Sequence, residues 1–427
     1  MTFFWVLFYN FFLYPFMFIA VSIWAVFNKK LKEGLKGRFR SIEKLRAYFS
    51  SVDRKRPVYW FHAASHGEYE QVHPVVAGLK DIEPHCVVVV SFFSPSGFNN
   101  VHDKNIDCKV YLPFDFIWSV RRAIKIVRPK KIIFAAYDIW PNLIWIAKYR
   151  NIPTTIFAAH FTKGTKKLAP GIRSFYRSVY HAFSAIYTVA DKDYLCVQQI
   201  VSPNKSPVIR VLGNPRYDQV KNKADQFTKK HTISVLLREK RIVVGSVWPE
   251  DEAVISESII RLMKEDDEVF LLWVPHEPSE EYVNQSVEKF TDAGFSTHIL
   301  RSKKHLKVNR ARVTIVGTVG VLSKLYWQGQ IAYVGGGFTT GVHNVMEPAI
   351  ARLPVLFGPR YHNSHEAEEL IRDGGGFPIS TSEDVYDIVK RLFADKNAFL
   401  KASYAATDVI HNNLGSSTRV VRGIIRD

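Results

Sequence analysis

At residues 58–71, VYWFHAASHGEYEQ, an apolar strand-like run stops at a turn and a glutamate. Glu68 stands behind Ser65-His66-Gly67, just past the last residue the strand would bury. A carboxylate placed there has two readings. It can be a helix-start charge held by the positive end of the helix dipole, or a general base that takes a proton from an attacking hydroxyl. Glu70, two residues on, would point to nearly the opposite face of a helix, so only one of the pair can serve a given site.

The second half carries a different chemistry. IAYVGGGFTTGVHNVMEPAIARLPVLFGP (331–359) runs from a strand into Gly335-Gly336-Gly337, then a short loop, then a helix expected from about His343-Asn344. Glycines admit close backbone approach, and a helix start offers N–H groups to an anion, so this unit can cradle a phosphate. Glu347 is placed to accept hydrogen bonds from a ribose diol, and Pro348 suits the first turn, where its missing N–H matters little. In RIVVGSVWPEDE (241–252), Ser246 ends a strand and can bond a phosphate oxygen; the stretch reads equally well as a helix cap, with Asp251 and Glu252 at the dipole end. No GxxxxGK[ST] occurs, which argues against a P-loop NTPase. Asp191-Lys192-Asp193 has the D-x-D spacing of metal-dependent sugar transferases, but Asp191 as an N-cap accounts for it. The 15 histidines include no HExxH, and no metal site is expected.

These residues need sheets to position them. Apolar runs at 58–64, 86–93, 131–137, 154–161 and 185–190 alternate with helical patterns such as 116–128 and 171–183. The alternation resumes at 241–247, 269–275, 313–319, 331–337 and 354–358. Continuous apolar strands with helical crossovers mean parallel sheets covered on both faces, so the expected class is α/β, with two doubly wound Rossmann-like domains. The polar stretch 214–231, with no apolar period, reads as the connection between them. Ligands of such sheets sit at the carboxyl ends of the strands, and paired domains take them in the cleft between.

Residues 1–27 contain no charge and are dense in aromatics, long enough to span a bilayer, with Pro15 able to kink the helix or lay it in the interface. Lys29, Lys30, Lys32, Lys36, Arg38 and Arg40 follow at once, a flank that stays cytoplasmic and attracts anionic headgroups. The segment is expected to be a retained membrane anchor rather than a cleaved signal, because it has no basic start and no small-residue cleavage site. The chain has 58 Lys and Arg against 40 Asp and Glu, a formal charge of +18, which favours anionic partners. Its three cysteines are widely spaced and read as free thiols of a reducing compartment.

Together the stretches EGLKGRF (33–39), WFHAASHGE (60–68), DIWPNLI (138–144), LGNPRYD (212–218), GSVWPEDE (245–252), GGGFTTGVHNVMEPA (335–349) and PVLFGPRYHNSHE (354–366) resemble the 3-deoxy-D-manno-octulosonic acid (Kdo) transferases of lipopolysaccharide assembly, sugar transferases of the GT-B fold. The resemblance implies an inner-membrane enzyme acting on the cytoplasmic face. It would transfer Kdo from CMP-Kdo to the distal glucosamine 6-hydroxyl of a lipid A precursor, without metal or other cofactor. It implies an anchor at 1–27, an acceptor-binding domain at 28–213 and a donor-binding domain at 214–427. Glu68 would be the catalytic base, and Ser246, Gly336, Gly337, Asn344, Glu347 and Asn363 would hold the donor. Ser65, Gly67, Arg38 and Asp138 are candidates for the acceptor side. The chain departs from the family at Ala136-Tyr137-Asp138, where many members carry Glu-Thr-Glu. It departs again at His276-Glu277, where an Arg-His pair is common, and at His160, where a loop arginine is. Two other functions fit less of the sequence: a GT-B transferase using a UDP- or GDP-sugar on a lipid, and a membrane-tethered basic binding protein. The latter leaves the glycine loop unexplained, and the chain lacks the aromatic–basic interleaving of an RNA binder, so nucleic acid is not an expected partner.

Overall fold

The computed structural model describes residues 2–161, 166–201, 207–228, 234–303, 306 and 310–427. It divides into one unit of Met1–Gln219 with Leu414–Asp427 and a second of Val220–Asn413. The strands of the first are β1 (Val58–Ala63), β2 (Val87–Phe92), β3 (Cys108–Tyr111), β4 (Lys131–Ala135), β5 (Thr154–Ala159), β6 (Ala185–Thr188) and β7 (Val208–Val211). Those of the second are β8 (Arg241–Val247), β9 (Phe270–Pro275), β10 (Thr297–Leu300), β11 (Val313–Val316), β12 (Ile331–Val334), β13 (Val355–Phe357) and β14 (Gly376–Pro378).

Each unit has one parallel seven-stranded sheet, in the order β3-β2-β1-β4-β5-β6-β7 and β10-β11-β9-β8-β12-β13-β14. The β1 side chains show why the strands read as unbroken apolar runs: Val58 and Trp60 enter the core on one face, while Tyr59, Phe61 and Ala63 enter the core on the other. Strand order reverses between β1 and β4 in the first sheet and between β8 and β12 in the second. At such a switch point the crossovers leave on opposite faces and open a crevice at the carboxyl edge.

The boundary between the units falls within 214–231, the stretch expected to connect them, although Arg216–Thr228 there is a helix. Tyr217, Val220 and Ala224 are buried along it, an apolar stripe sparse enough to pass for none, and the unit boundary falls between Gln219 and Val220. Residues 229–231 of that stretch lie outside the described residues. The second domain does not run to 427. The helix Ser416–Arg426 returns to the first unit, where Val420, Val421 and Ile424 join the core with Tyr187. Asp218 accepts the amides of Gly415 (2.7 Å) and Ser417 (2.6 Å), and Tyr187 donates to Asp427 at 3.0 Å.

Thr2–Phe27 forms one helical run of 26 residues, long and apolar enough to cross a membrane. A π-turn at Tyr9–Leu13 absorbs the misfit that Pro15 imposes on the preceding turn. One face of this run is docked lengthwise on the first unit. Trp5 and Tyr9 pack on Phe175, Tyr9 also on Trp145, and Tyr14 and Phe18 on Phe116. Polar pairs fix the register: Tyr9 donates to buried Asp115 (2.9 Å), Tyr14 accepts the Asp115 amide (2.7 Å), and Asn10 and Asn142 exchange side-chain bonds. The opposite face leaves Phe4, Phe11, Phe12, Phe16, Trp24 and Phe27 exposed.

Candidate active site

Two clusters form, each at the carboxyl edge of a switch point. In the first unit, the sequence after β1 enters the helix His66–Ile82 through Ser65, whose Oγ caps it by accepting the Glu68 amide at 3.4 Å. Glu68 therefore lies in the first turn, and its side chain folds back to accept the Ala64 N–H. It is only 8 % exposed. Burial pushes its carboxyl up to about 7; the Ala64 amide opposes the shift and the charge of Asp138 adds to it. The helix-start placement and the base-like acidity are thus properties of one group. A Cβ on Gly67 would meet nothing nearer than Ser65 Oγ at 3.9 Å, so the glycine leaves open space beside the carboxylate.

Asp138 arrives from the loop after β4, which turns at Ala136 with φ +59°. His62 of β1 faces it at 2.9 Å through Nε2, and the Trp140 indole donates to it at 3.3 Å. Burial works against its charge, but His62, Trp140 and Arg38 outweigh that and hold the carboxyl below the usual range. Arg38 is brought by the EGLKGR segment. Gly37 lets this helix close on Tyr111, whose ring a Cβ would meet at 2.2 Å. The guanidinium lies over Phe93 (3.8 Å to the centroid) and donates to its carbonyl at 2.8 Å, and Phe93 stacks on Trp140. Burial lowers Arg38 to about 10, so it remains a cation at neutral pH. The edge thus gathers Ser65, Gly67, Glu68, Asp138 and Arg38. It adds His62, whose only signal in the sequence is a histidine inside an otherwise apolar strand.

In the second unit Ser246, with φ +56°, is the penultimate residue of β8, beside the glycine run after β12. A Cβ would strike Ser246 O (2.1 Å) from Gly335, Gly341 O (2.5 Å) from Gly336, and Gly358 (2.6 Å) from Gly337. The glycines are therefore demanded by crossing backbones within the unit. The Gly336 amide already has a partner within the unit. It donates to Asp251 at 2.8 Å, a fully buried carboxylate that also takes the Tyr333 hydroxyl (2.8 Å) and the Trp248 amide (3.1 Å). A protein carboxylate already stands where an anion would bind. The following helix begins at Met346 and is short, Met346–Ile350, with Asn344 accepting the Met346 amide at 3.2 Å. Asn363 donates to Val342 O at 3.1 Å and ties the two loops together.

Glu347 lines a cavity of about 470 Å³ with Gly320, Ser323, Lys324, Lys223 and the rings of Phe227 and Trp327. Two lysines, a carboxylate and two aromatic faces suit a nucleotide in a pocket of ligand size. A second cavity, about 380 Å³, lies over Trp248, Glu250, His276 and Tyr282. Here Trp248, His276 and His343 stack, with centroids 4.3 and 4.7 Å apart, and the Trp248 indole donates to His343 Nε2 at 2.9 Å. The D-x-D is structural, though not through Asp191. Ala190 is the N-cap, and buried Asp193 accepts the Ala190 and Phe161 amides.

Two doubly wound parallel sheets in tandem, each with a polar cluster at its switch point, are the GT-B architecture. The fold agrees with a glycosyltransferase from Rickettsia africae (TM-score 0.56, 13 % identity, 87 % of this chain and 97 % of the other). It agrees as well with a UDP-GlcNAc 2-epimerase from Neisseria meningitidis (TM-score 0.60, 13 % identity, 87 % and 100 %). Residues 33–219 match the family model of 3-deoxy-D-manno-octulosonic-acid transferase (kdotransferase). The 3-deoxy-D-manno-octulosonic acid transferase of Haemophilus influenzae is 26 % identical over 85 % of this chain and 85 % of its own. That of Aquifex aeolicus is 26 % identical over 83 % and 92 %. The chain is thus similar in sequence to Kdo transferases over most of its length, and these relatives, with the GT-B fold, support a glycosyltransferase.

Proposed function

We propose that the protein transfers Kdo from CMP-Kdo to the 6′-hydroxyl of a lipid A precursor by a single inverting displacement. The observation that carries this reading is Glu68, a buried carboxyl with acidity near neutrality at the switch point of a unit that matches Kdo transferases. Glu68 takes the proton from the acceptor hydroxyl as its oxygen bonds to the anomeric carbon of Kdo. The bond from that carbon to the CMP phosphate breaks, and CMP leaves with the electron pair. Arg38, a half-buried cation, and the open space at Gly67 serve the acceptor, with Ser65 setting the turn. On the donor side Glu347 takes the ribose in the larger cavity, and Lys324 and Lys223 answer the phosphate. Ser246, Asn344 and Asn363 shape the loops around it, and Gly336 and Gly337 permit their close crossing.

The membrane reading follows from the first helix. With one face held lengthwise on the folded unit, it lies along the cytoplasmic face of the inner membrane with its phenylalanines in the acyl boundary. Lys29, Lys30, Lys32, Lys36 and Arg40, all exposed, meet anionic headgroups, whereas Arg38 turns inward.

The test is turnover by the purified chain with CMP-Kdo generated in situ and a tetra-acylated lipid A precursor, with Glu68→Gln in parallel. Kdo-modified lipid and released CMP are expected, with loss of at least about 100-fold in the variant. Absence of product from the parent, or release of UDP or GDP from another sugar donor, overturns the assignment.

A further inference from the structure

His62 is fully buried in β1, yet it reaches the site. Its Nδ1 lies 3.0 Å from both the carbonyl and the hydroxyl of Ser91. The carbonyl can only accept. The hydroxyl already receives the Trp60 indole at 2.9 Å and donates to Phe61 O at 3.3 Å, so towards Nδ1 it too accepts. Nδ1 therefore carries a proton. Nε2 meets the Asp138 carboxylate, which the Trp140 indole and Arg38 also favour as an anion. The pattern assigns a proton to Nδ1 and one proton to the 2.9 Å contact between Nε2 and Asp138.

Two residues further along the same strand end, Ala64 holds Glu68. Two carboxyl groups are thus held at the end of β1, one by His62 and one by the Ala64 amide, and the charge of Asp138 raises the Glu68 carboxyl; carboxyls that interact in this way can titrate as a pair. We propose that His62 is a positioning residue for the transfer reaction: by pairing with Asp138 it fixes that carboxylate beside Glu68 and keeps the two from sharing a proton, so that Glu68 alone takes up the acceptor's proton. The other ionisable groups around them are His66 and Glu70 on the Glu68 helix, Tyr137 on the Asp138 loop with Arg216 beside it, and Arg38. None of these bonds Asp138 as His62 does.

The inference rests on Glu68 being the base, and it is tested first without substrate. Glutamate carrying a carbon isotope in its carboxyl is incorporated, and the Glu68 signal, identified by its loss in Glu68→Gln, is titrated by NMR. The parent is expected to show one step. In His62→Gln, Asp138 and Glu68 become a coupled pair and the Glu68 midpoint rises, by about half a unit to one unit. Asp138→Asn, at a partly exposed side chain, moves it the opposite way, and adding Asp138→Asn to His62→Gln restores a single step. The acid limb of kcat/KM for Kdo transfer should follow the same order, with kcat of His62→Gln largely recovered at high pH. A Glu68 midpoint unmoved in His62→Gln overturns the proposal. Should that variant not fold, an unmoved midpoint in Asp138→Asn does so. Opposed shifts without Kdo transfer in the parent would leave the proton partition standing and remove the proposed function.

Discussion

At the scale of single residues, Glu68 combines demands that oppose each other. A base must be ionised to work, yet burial beside Asp138 raises its carboxyl from 4.5 to about 7. The rate should therefore climb with pH through about 7 with unit slope in log kcat/KM, which a pH–rate profile checks. The same shift bears on stability. A carboxyl raised on folding stabilises fully below its unfolded value, and that contribution is lost as pH rises through the folded one. Replacing Glu68 by Gln should then raise stability at pH 8 by an amount on the order of 2 to 3 kcal/mol, with no difference near pH 4, measured by thermal unfolding. Glycines at the two clusters answer to different constraints. Gly67→Ala is expected to leave stability within about 0.5 kcal/mol while impairing transfer, because the space it fills is open. Gly336→Ala, at φ +93° and 2.5 Å from Gly341 O, should instead cost several kcal/mol, of order 2 to 4, in unfolding experiments.

At the scale of elements, the first helix is secured by a carboxylate rather than by apolar contact alone. Asp115 accepts the Tyr9 hydroxyl and the amides of Asn142 (3.0 Å) and Leu143 (3.0 Å), so it joins this helix to the start of Pro141–Tyr149. Asp115→Ala would bury three donors without an acceptor. A loss of about 2 to 4 kcal/mol is expected, together with earlier proteolysis around Asn28, read by denaturant titration and limited digestion. Elements also show where the sequence was legible. The ten strands visible as apolar runs form the interior of both sheets. The four that were not, β3, β7, β10 and β14, are the four sheet edges. An edge strand is short and partly exposed, so it lacks the continuous apolar signature: β7, VIRV, has no fully buried residue.

At the scale of the whole molecule, the chain is not two consecutive domains. Its last 14 residues, Leu414–Asp427, complete the first unit. Truncation after Asn413 removes Val420, Val421 and Ile424 from the core around Tyr187 and leaves the Asp218 carboxylate without its amides. The unfolding transition of the first unit should fall by well over 5 °C while that of the second stays in place, resolved by calorimetry. An apolar face at Val420, Val421 and Ile424 is plain in the sequence, but the sheet it covers is not. Helix periodicity encodes which face is buried, never against what.

The sequence by itself determined the α/β class, the switch from strand to helix at Glu68, the uncharged aromatic start and the family motifs, because these depend on local periodicity and residue type. It also brought Ser65, Gly67, Glu68, Asp138 and Arg38 into view as candidates, without relating them. Only the tertiary structure decided that His62 stands beneath Asp138, that Asp251 occupies the Gly336 amide, and that the glycine run serves crossing backbones. The two hydrogen bonds join residues 76 and 85 positions apart and the Gly335–Ser246 crossing joins residues 89 apart, and no local propensity specifies which distant group a buried atom will meet. The requirement that such an atom be satisfied can be read from its type; its partner is set by how the sheets pack.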